Sequence, residues 1–340
     1  MLVPRIISAR KKWITLVLAS VAGTGVLASP GSSALSIPLS FDPTYDLGPE
    51  KQPMGNLDSW YVVGHLTDGA HRFGFFAFYI DNLGNSRYSA ISIIDETTGI
   101  IKKSEVEPST SQGNKAKYGI DIRTSNITWL GDMKRMSVTG KMDGGTNFKI
   151  TCNPRGPVLP YMGTGYFPLF NNSNPNHEYA FPAMRTSGTV TFEGKPYQVT
   201  GESWFDRQWG PMPERFFQNG HWTWMAISLS NGDKMALWDV VYKGEQAWVN
   251  VLEPDGTITI ASITPLAQDA SDFWRSQETG QNYPTRWRVI IPGQDVKLDV
   301  VSYSKDQEIG GEYEGAVKIT GSYKNKLVTG LGYVEMYGHQ

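Results

Sequence analysis

The sequence predicts an all-β fold of two tandem antiparallel β-barrels, and three observations predict it. The chain holds 36 Gly, 20 Pro and 12% aromatic residues, and runs of the Ala/Leu/Glu/Lys kind that build helices are scarce. Short β-rich segments follow one another with turn residues between them. The rhythm breaks at a proline-rich stretch, Pro154 to Pro182, and at Pro211-Met212-Pro213, a joint that leaves each half about the strand count of a small barrel. The 340 residues suit two medium domains or one large one.

The first 34 residues read as a secretory signal peptide. Arg5, Arg10, Lys11 and Lys12 precede an apolar run from Trp13 to Leu27, and small residues near 28 and near 34 border candidate cleavage sites. That run is shorter than the roughly 20 residues a membrane span needs. A secreted chain, with no membrane contact after cleavage, is the expectation. Two N-glycosylation sequons, at Asn126 and Asn171, agree with it. A lone cysteine, Cys152, rules out an internal disulfide and reads as a buried structural residue. Residues 35–56 form a proline-rich lead-in.

The N-terminal domain is expected over 57–213. Trp60 to Leu66 and Arg72 to Ile80 make a hairpin across the Thr67-to-His71 turn. Further strands are predicted at Tyr88–Asp95, Tyr118–Thr124, Ile127–Leu130, Met133–Met142, Asn147–Asn153 and Thr186–Phe192. Glu193-Gly194-Lys195-Pro196 turns the chain into Gly201 to Gly210. The C-terminal domain is expected over 214–340, with strands from His221, Lys234, Gln246, Thr257, Thr285, Val296, Glu312 and Leu327, and a short helix over 269–277.

Charge is nearly balanced, 31 basic against 33 acidic residues, so no nucleic-acid footprint is present. Phosphate-loop, dinucleotide and nucleophile-elbow motifs are missing. The five histidines are scattered, which argues against a dedicated metal site. An enzyme built this way is expected to use no cofactor and to work by acid–base and electrostatic means.

The sharpest chemical signal is Ser203-Trp204-Phe205-Asp206-Arg207-Gln208-Trp209. In a strand, Glu202, Trp204, Asp206 and Gln208 share one face, while Arg207 and Trp209 turn to the other. Two readings of Asp206 stay open: a general acid whose pKa is raised against indole, or a structural carboxylate paired with Arg207 or Arg215. His177 and Tyr179 share a face of an extended run and could relay protons with Asp206; a surface loop histidine is the alternative. Trp222 and Trp224 could shelter an apolar or cationic group, with His221 on the facing side, or simply pack a core. Tyr333 and Glu335 share a face of the last strand, with Glu335 as a second acid or an orienting group, or as part of a half-exposed edge. Glu202, His221, Trp222, Trp224, Tyr333 and Glu335 are the expected substrate-binding residues.

Trp60-Tyr61 with Gly64-His65-Leu66, Ser187-Gly188-Thr189-Val190, Ser203-Trp204-Phe205-Asp206-Arg207-Gln208-Trp209-Gly210 and Gly330-Leu331-Gly332-Tyr333-Val334-Glu335, in that order, resemble the AttH/CrtC-like family of carotenoid 1,2-hydratases, kievitone hydratases and lipocalin-like Diels–Alderases. The signal and sequons make the chain most similar in character to the kievitone hydratases. The resemblance implies two lipocalin-like barrels with a pocket near their junction. It implies cofactor-independent addition of water to, or its removal from, an isoprenoid double bond. It places His177 and Tyr179 at one site pair of the family and Trp204 and Asp206 at the other, with the Trp and Tyr identities exchanged. The expected function is a secreted hydratase in which Asp206 protonates a prenyl double bond, Trp204 and Tyr179 face the tertiary cation, and His177 orients the attacking water. The expected partner is a hydrophobic small molecule: a prenylated phenolic, an isoprenoid or a polyketide-like compound. A dehydratase or cyclase on the same fold, and a non-catalytic carrier of hydrophobic ligands, are the alternatives.

Overall fold

A computed structural model describes residues 39–50, 56–82, 86–108, 113–167, 176–211 and 219–338. The signal segment and Asn171 lie outside the described residues. The first sheet contains β1 (Asn56–Thr67), β2 (Arg72–Asn82), β3 (Ser86–Asp95), β4 (Ile101–Val106), β5 (Ile120–Arg123), β6 (Ile127–Gly131), β7 (Met136–Lys141), β8 (Asn147–Pro154), β9 (Leu159–Pro160), β10 (Tyr166–Phe167), β11 (Asn176–Phe192) and β12 (Lys195–Pro211). The second contains β13 (His221–Leu229), β14 (Lys234–Val241), β15 (Glu245–Leu252), β16 (Ile258–Ser262), β17 (Ala270–Ser271), β20 (Arg286–Ile291), β21 (Val296–Ser302), β22 (Glu308–Ile309), β23 (Glu312–Tyr323) and β24 (Lys326–Tyr337), with β18 (Trp274–Arg275) and β19 (Asn282–Tyr283) as a separate small ribbon. All pairings are antiparallel. The main order is β4-β3-β2-β1-β12-β11-β8-β7-β6-β5 in one sheet and β16-β15-β14-β13-β24-β23-β21-β20-β17 in the other. Each sheet curls round its own core, as predicted.

Three apolar cores result. One fills the first barrel and includes Trp60, Phe75, Ile93, Trp129 and Phe205. One fills the second and includes Met225, Leu237, Trp287, Val300 and Val334. The third lies between the sheets and includes Tyr61, Phe76, Trp204, Trp224, Trp238 and Tyr333. β1, β2, β13 and β14 therefore bury both faces, one in a barrel and one in the seam. That is why they read as near-continuous apolar runs rather than alternating ones. On β13, for example, Met225 and Ile227 face the barrel while Trp222, Trp224 and Ala226 face the seam.

Residues 39–50 of the lead-in are more ordered than their composition suggests. Asp42 caps the one-turn helix Pro43–Asp46 by accepting from the Thr44 N–H at 2.9 Å. Phe41 stacks on Tyr179 at 4.5 Å, and Leu47 is buried in the first barrel. Several elements differ from expectation, among them β11, which begins at Asn176 rather than Thr186. The helix predicted over 269–277 is a 3-10 turn, Leu266–Asp269, followed by the short strands β17 and β18. Asp272, at φ 56°, takes a left-handed conformation that a helix interior excludes. The half-exposed edge strand β4 was not signalled, because Lys102, Lys103 and Glu105 mask its pattern.

Candidate active site

β11 and β12 form a long hairpin through Glu193 and Gly194, both at positive φ (51° and 83°), as a tight two-residue turn requires. Phe192 pairs with Lys195, and the register runs unbroken to Met184 opposite Ser203. It then slips by one, so that Phe181 pairs with Phe205, Ala180 with Asp206 and Glu178 with Gln208. Pro182, which has no N–H to give a ladder, lies in this bulge. A one-residue slip exchanges the faces of everything beyond it.

The outcome on β12 matches the alternation read from sequence. Trp204 and Asp206 face the seam; Phe205, Arg207 and Trp209 face the barrel. Arg207 is fully buried and forms an ion pair with Asp58. Its other N–H groups donate to the carbonyls of Asp46 (2.9 Å), Gly48 (2.8 Å), Ser59 (3.2 Å) and Gln208 (2.8 Å). Trp60 and Trp209 lie against the guanidinium at 4.3 and 4.9 Å. Arg207 is thus not the partner of Asp206, and Arg215, the other candidate, lies outside the described residues.

A cavity of about 230 Å³ opens in the seam beside Asp206. Leu57, Phe78 and Ile80 from the first sheet and Trp222, Trp224 and Trp238 from the second give it apolar walls. Its charged lining, among the described residues, is all acidic: Asp206 and Glu178 on one wall, Glu335 and Glu312 on the other. Gly310, at φ 62°, lies at its edge, where a β-carbon would run into the Tyr88 hydroxyl.

Asp206 is 5% exposed. The Trp204 indole N–H is shared between its two oxygens at 2.9 Å each, and the Tyr161 hydroxyl donates to Oδ1 at 3.2 Å. Trp224 donates in turn to the Tyr161 oxygen at 3.1 Å. Burial pushes the Asp206 carboxyl well above the usual range, the Trp204 and Tyr161 donors pull it back in part, and the neighbouring Glu335 raises it again. With Oδ1 taking the Tyr161 hydroxyl as well, Oδ2 is the oxygen with room for a proton.

Glu178 is buried, and its Oε2 meets no hydrogen-bond partner. Burial, then the Asp206 and Glu335 charges, raise it well above the carboxylate range. Glu335 accepts from the Trp222 indole at 2.7 Å; burial carries it to about 7 against that donor. Burial and Glu335 carry Glu312 to about 8. Glu314, opposite Glu335 in the β23–β24 register, accepts from the Tyr61 hydroxyl at 2.8 Å and is also raised, first by burial. Burial therefore favours the protonated form of each of these carboxyls.

The expected site residues divide as follows. Asp206, Trp222, Trp224 and Glu335 line the cavity, and Trp204 supports Asp206. His177 and Tyr179 do not face it, contrary to expectation, because the bulge turns them into the first barrel. His177 stacks on Trp209 at 5.1 Å and bonds Ser40 Oγ at 3.2 Å, while Tyr179 is fully buried against Phe41. His221 sits on the β13 face opposite Trp222 and Trp224 and outside the cavity lining. Glu202 is exposed and pairs with Lys234 at a separate open groove. Tyr333 is buried in the seam beside His65, at 5.4 Å between ring centroids, rather than in the cavity wall. Asn126, expected as a glycan acceptor, is buried. Its Nδ2 donates to the carbonyls of Ser89 and Ser104, both at 3.2 Å, which leaves no room for a glycan in the folded chain.

Sequence reasoning missed Glu178, Tyr161, Tyr61, Glu312 and Glu314. A signal for Glu178 was present: tracing the hairpin register back from Glu193-Gly194 and allowing one slip at Pro182 puts Glu178, not His177, beside Asp206. No group of three or more His, Cys, Asp or Glu suited to a metal ion occurs among the described residues.

Comparison with known proteins agrees with this architecture. The kievitone hydratase of Fusarium solani subsp. phaseoli is 24% identical over 320 residues, which is 86% of this chain and 85% of that protein. The dehydratase asqC of Emericella nidulans is 24% identical over 195 residues, 52% of this chain and 54% of that one. The crystal structure of kievitone hydratase from Nectria haematococca superposes with a TM-score of 0.75 at 20% identity, covering 87% of this chain and 92% of its own. A putative AttH from Nitrosomonas europaea also gives 0.75, at 18% identity, over 92% and 99%. The AttH-like family description matches residues 45–339, and the chain belongs to that family.

Proposed function

We propose that this protein is an acid-catalysed hydro-lyase that adds water across an isoprenoid double bond of a hydrophobic small molecule, or removes it in the reverse direction. The observation that carries the reading is Asp206: a buried carboxyl beside an indole-walled cavity, with no cation among the described residues to hold it ionised. Water is a weak nucleophile, so the alkene must be protonated first. The Asp206 O–H gives its proton to the less substituted alkene carbon, leaving a tertiary cation and the Asp206 carboxylate. Trp222 and Trp224 offer π-faces to that cation. Water attacks the cation, forming the C–O bond, and its spare proton passes to ionised Glu335 on the opposite wall. Proton return from Glu335 to Asp206 resets the site. Dehydration uses the same groups in reverse, which accommodates relatives named for either direction.

The test is product mass. Purified protein is incubated with prenylated phenolics in ¹⁸O-labelled water. The expected product is heavier by one labelled water, and Asp206→Asn should form none. A product of unchanged mass, or full turnover by the variant, overturns the assignment.

A further inference from the structure

We infer that the seam cavity is a binding site for organic cations, and that small molecules carrying an ammonium group bind it in competition with substrate. The inference rests on the hydro-lyase reading only in placing ligand and substrate in one cavity.

No lysine, arginine or histidine is among the described residues that line the cavity. Elsewhere in the molecule, buried acids have donors. Asp58 has Arg207; Glu96 has His65 and Arg72; Glu308 accepts from Ser276, from Thr279 at 2.6 Å and from Tyr283 at 2.8 Å. Glu178 differs in having only other carboxyls as charged neighbours: one oxygen each of Asp58, Asp81 and Asp239 also lacks a hydrogen bond, but the Glu178 Oε2 lies at the cavity with no cation beside it among the described residues. Glu314 and Glu335 stand directly across β23–β24, an arrangement that repels once both ionise. A ligand bearing positive charge would balance the first when it ionises and relieve the second. The remaining walls suit the same ligand: Trp222, Trp224 and Trp238 line the cavity, and indole faces are the strongest side-chain partners for ammonium groups. A transient carbocation and a stable ammonium ion make the same electrostatic demand, so the ammonium mimics the high-energy state and binds more tightly than a neutral ligand of the same shape.

The probes are choline, its uncharged carbon isostere dimethylbutanol, and the corresponding carboxylate dimethylbutanoate. Binding is read by quenching of tryptophan fluorescence on the intact protein, without turnover. Choline is expected to bind at least about tenfold more tightly than the alcohol, and the carboxylate not at all. Glu335→Gln and Glu178→Gln should each reduce that preference several-fold while the alcohol's affinity stays within twofold and circular dichroism is unchanged. Equal or tighter binding of the alcohol overturns the inference, as does a preference that survives both substitutions. The hydro-lyase reading is tested separately by product mass: loss of choline selectivity with hydration intact refutes only the cation site, and the converse refutes only the chemistry.

Discussion

Asp206 and Arg207 are neighbours on β12, both buried, and they face opposite cores. On the barrel side, five guanidinium N–H groups meet five acceptors, Asp58 among them. On the seam side, a carboxyl has an indole N–H and a tyrosine hydroxyl but, among the described residues, no cation. The first arrangement stabilises charge; the second suppresses it. Burial alone does not distinguish structure from chemistry, but the company a buried charge keeps does.

The contrast can be tested from its strongest consequence downwards. Asp206→Asn should lower kcat by about 10³-fold or more, within the usual range for loss of a general acid, while the denaturant midpoint stays level or rises. A variant that unfolds would show Asp206 to be structural after all. Arg207→Met should do the reverse and cost about 3–5 kcal/mol of stability in denaturant titration by stranding Asp58. An unchanged midpoint would erase the contrast. The pH dependence of stability gives a third, smaller effect. Glu335 and Glu312 are raised to about 7 and about 8 in the folded chain, so the folded state binds more protons than the unfolded one above about pH 4. Their contribution is full at acid pH and declines as pH rises towards 7 to 8. Thermal melts of Glu335→Gln should therefore lose less stability than wild type between pH 5 and pH 8; parallel curves would show Glu335 ionised throughout. The mildest change is Tyr161→Phe. It removes a donor that lowers the Asp206 pKa, so the alkaline limb of the pH–rate profile should move upward, with kcat within about tenfold. A downward move would contradict the assigned direction of that hydrogen bond.

How much of this was legible depended on distance along the chain. The all-β class, the β1–β2 hairpin and the facing of Trp204 and Asp206 follow from alternation within one strand. The facing of β11 against β12 does not, because it turns on a single bulge at Pro182. That slip put Glu178 at the cavity and sent His177 and Tyr179 into the barrel. Tyr161 was hidden for another reason. It lies in an irregular stretch whose path is set by contacts such as the Met162 N–H on Asn250 Oδ1 at 2.8 Å, made to a strand far away in sequence. Asn126 shows the limit of a motif: the sequon was present, but burial was not written in three residues.

The cavity is walled by strands that are themselves each the outer layer of a packed barrel, and this bears on how such a site can diversify. Where loops line a pocket, new specificities arise by insertion and deletion at little cost to the scaffold. Here an inserted residue in β1, β12 or β13 would flip both a wall and a barrel core. Diversification is thus confined to side-chain replacement at fixed positions such as Leu57, Phe78, Ile80 and Trp238. Lineages sharing this architecture should keep strand register while exchanging these few side chains, so the record of substrate choice is written in single substitutions rather than in gaps.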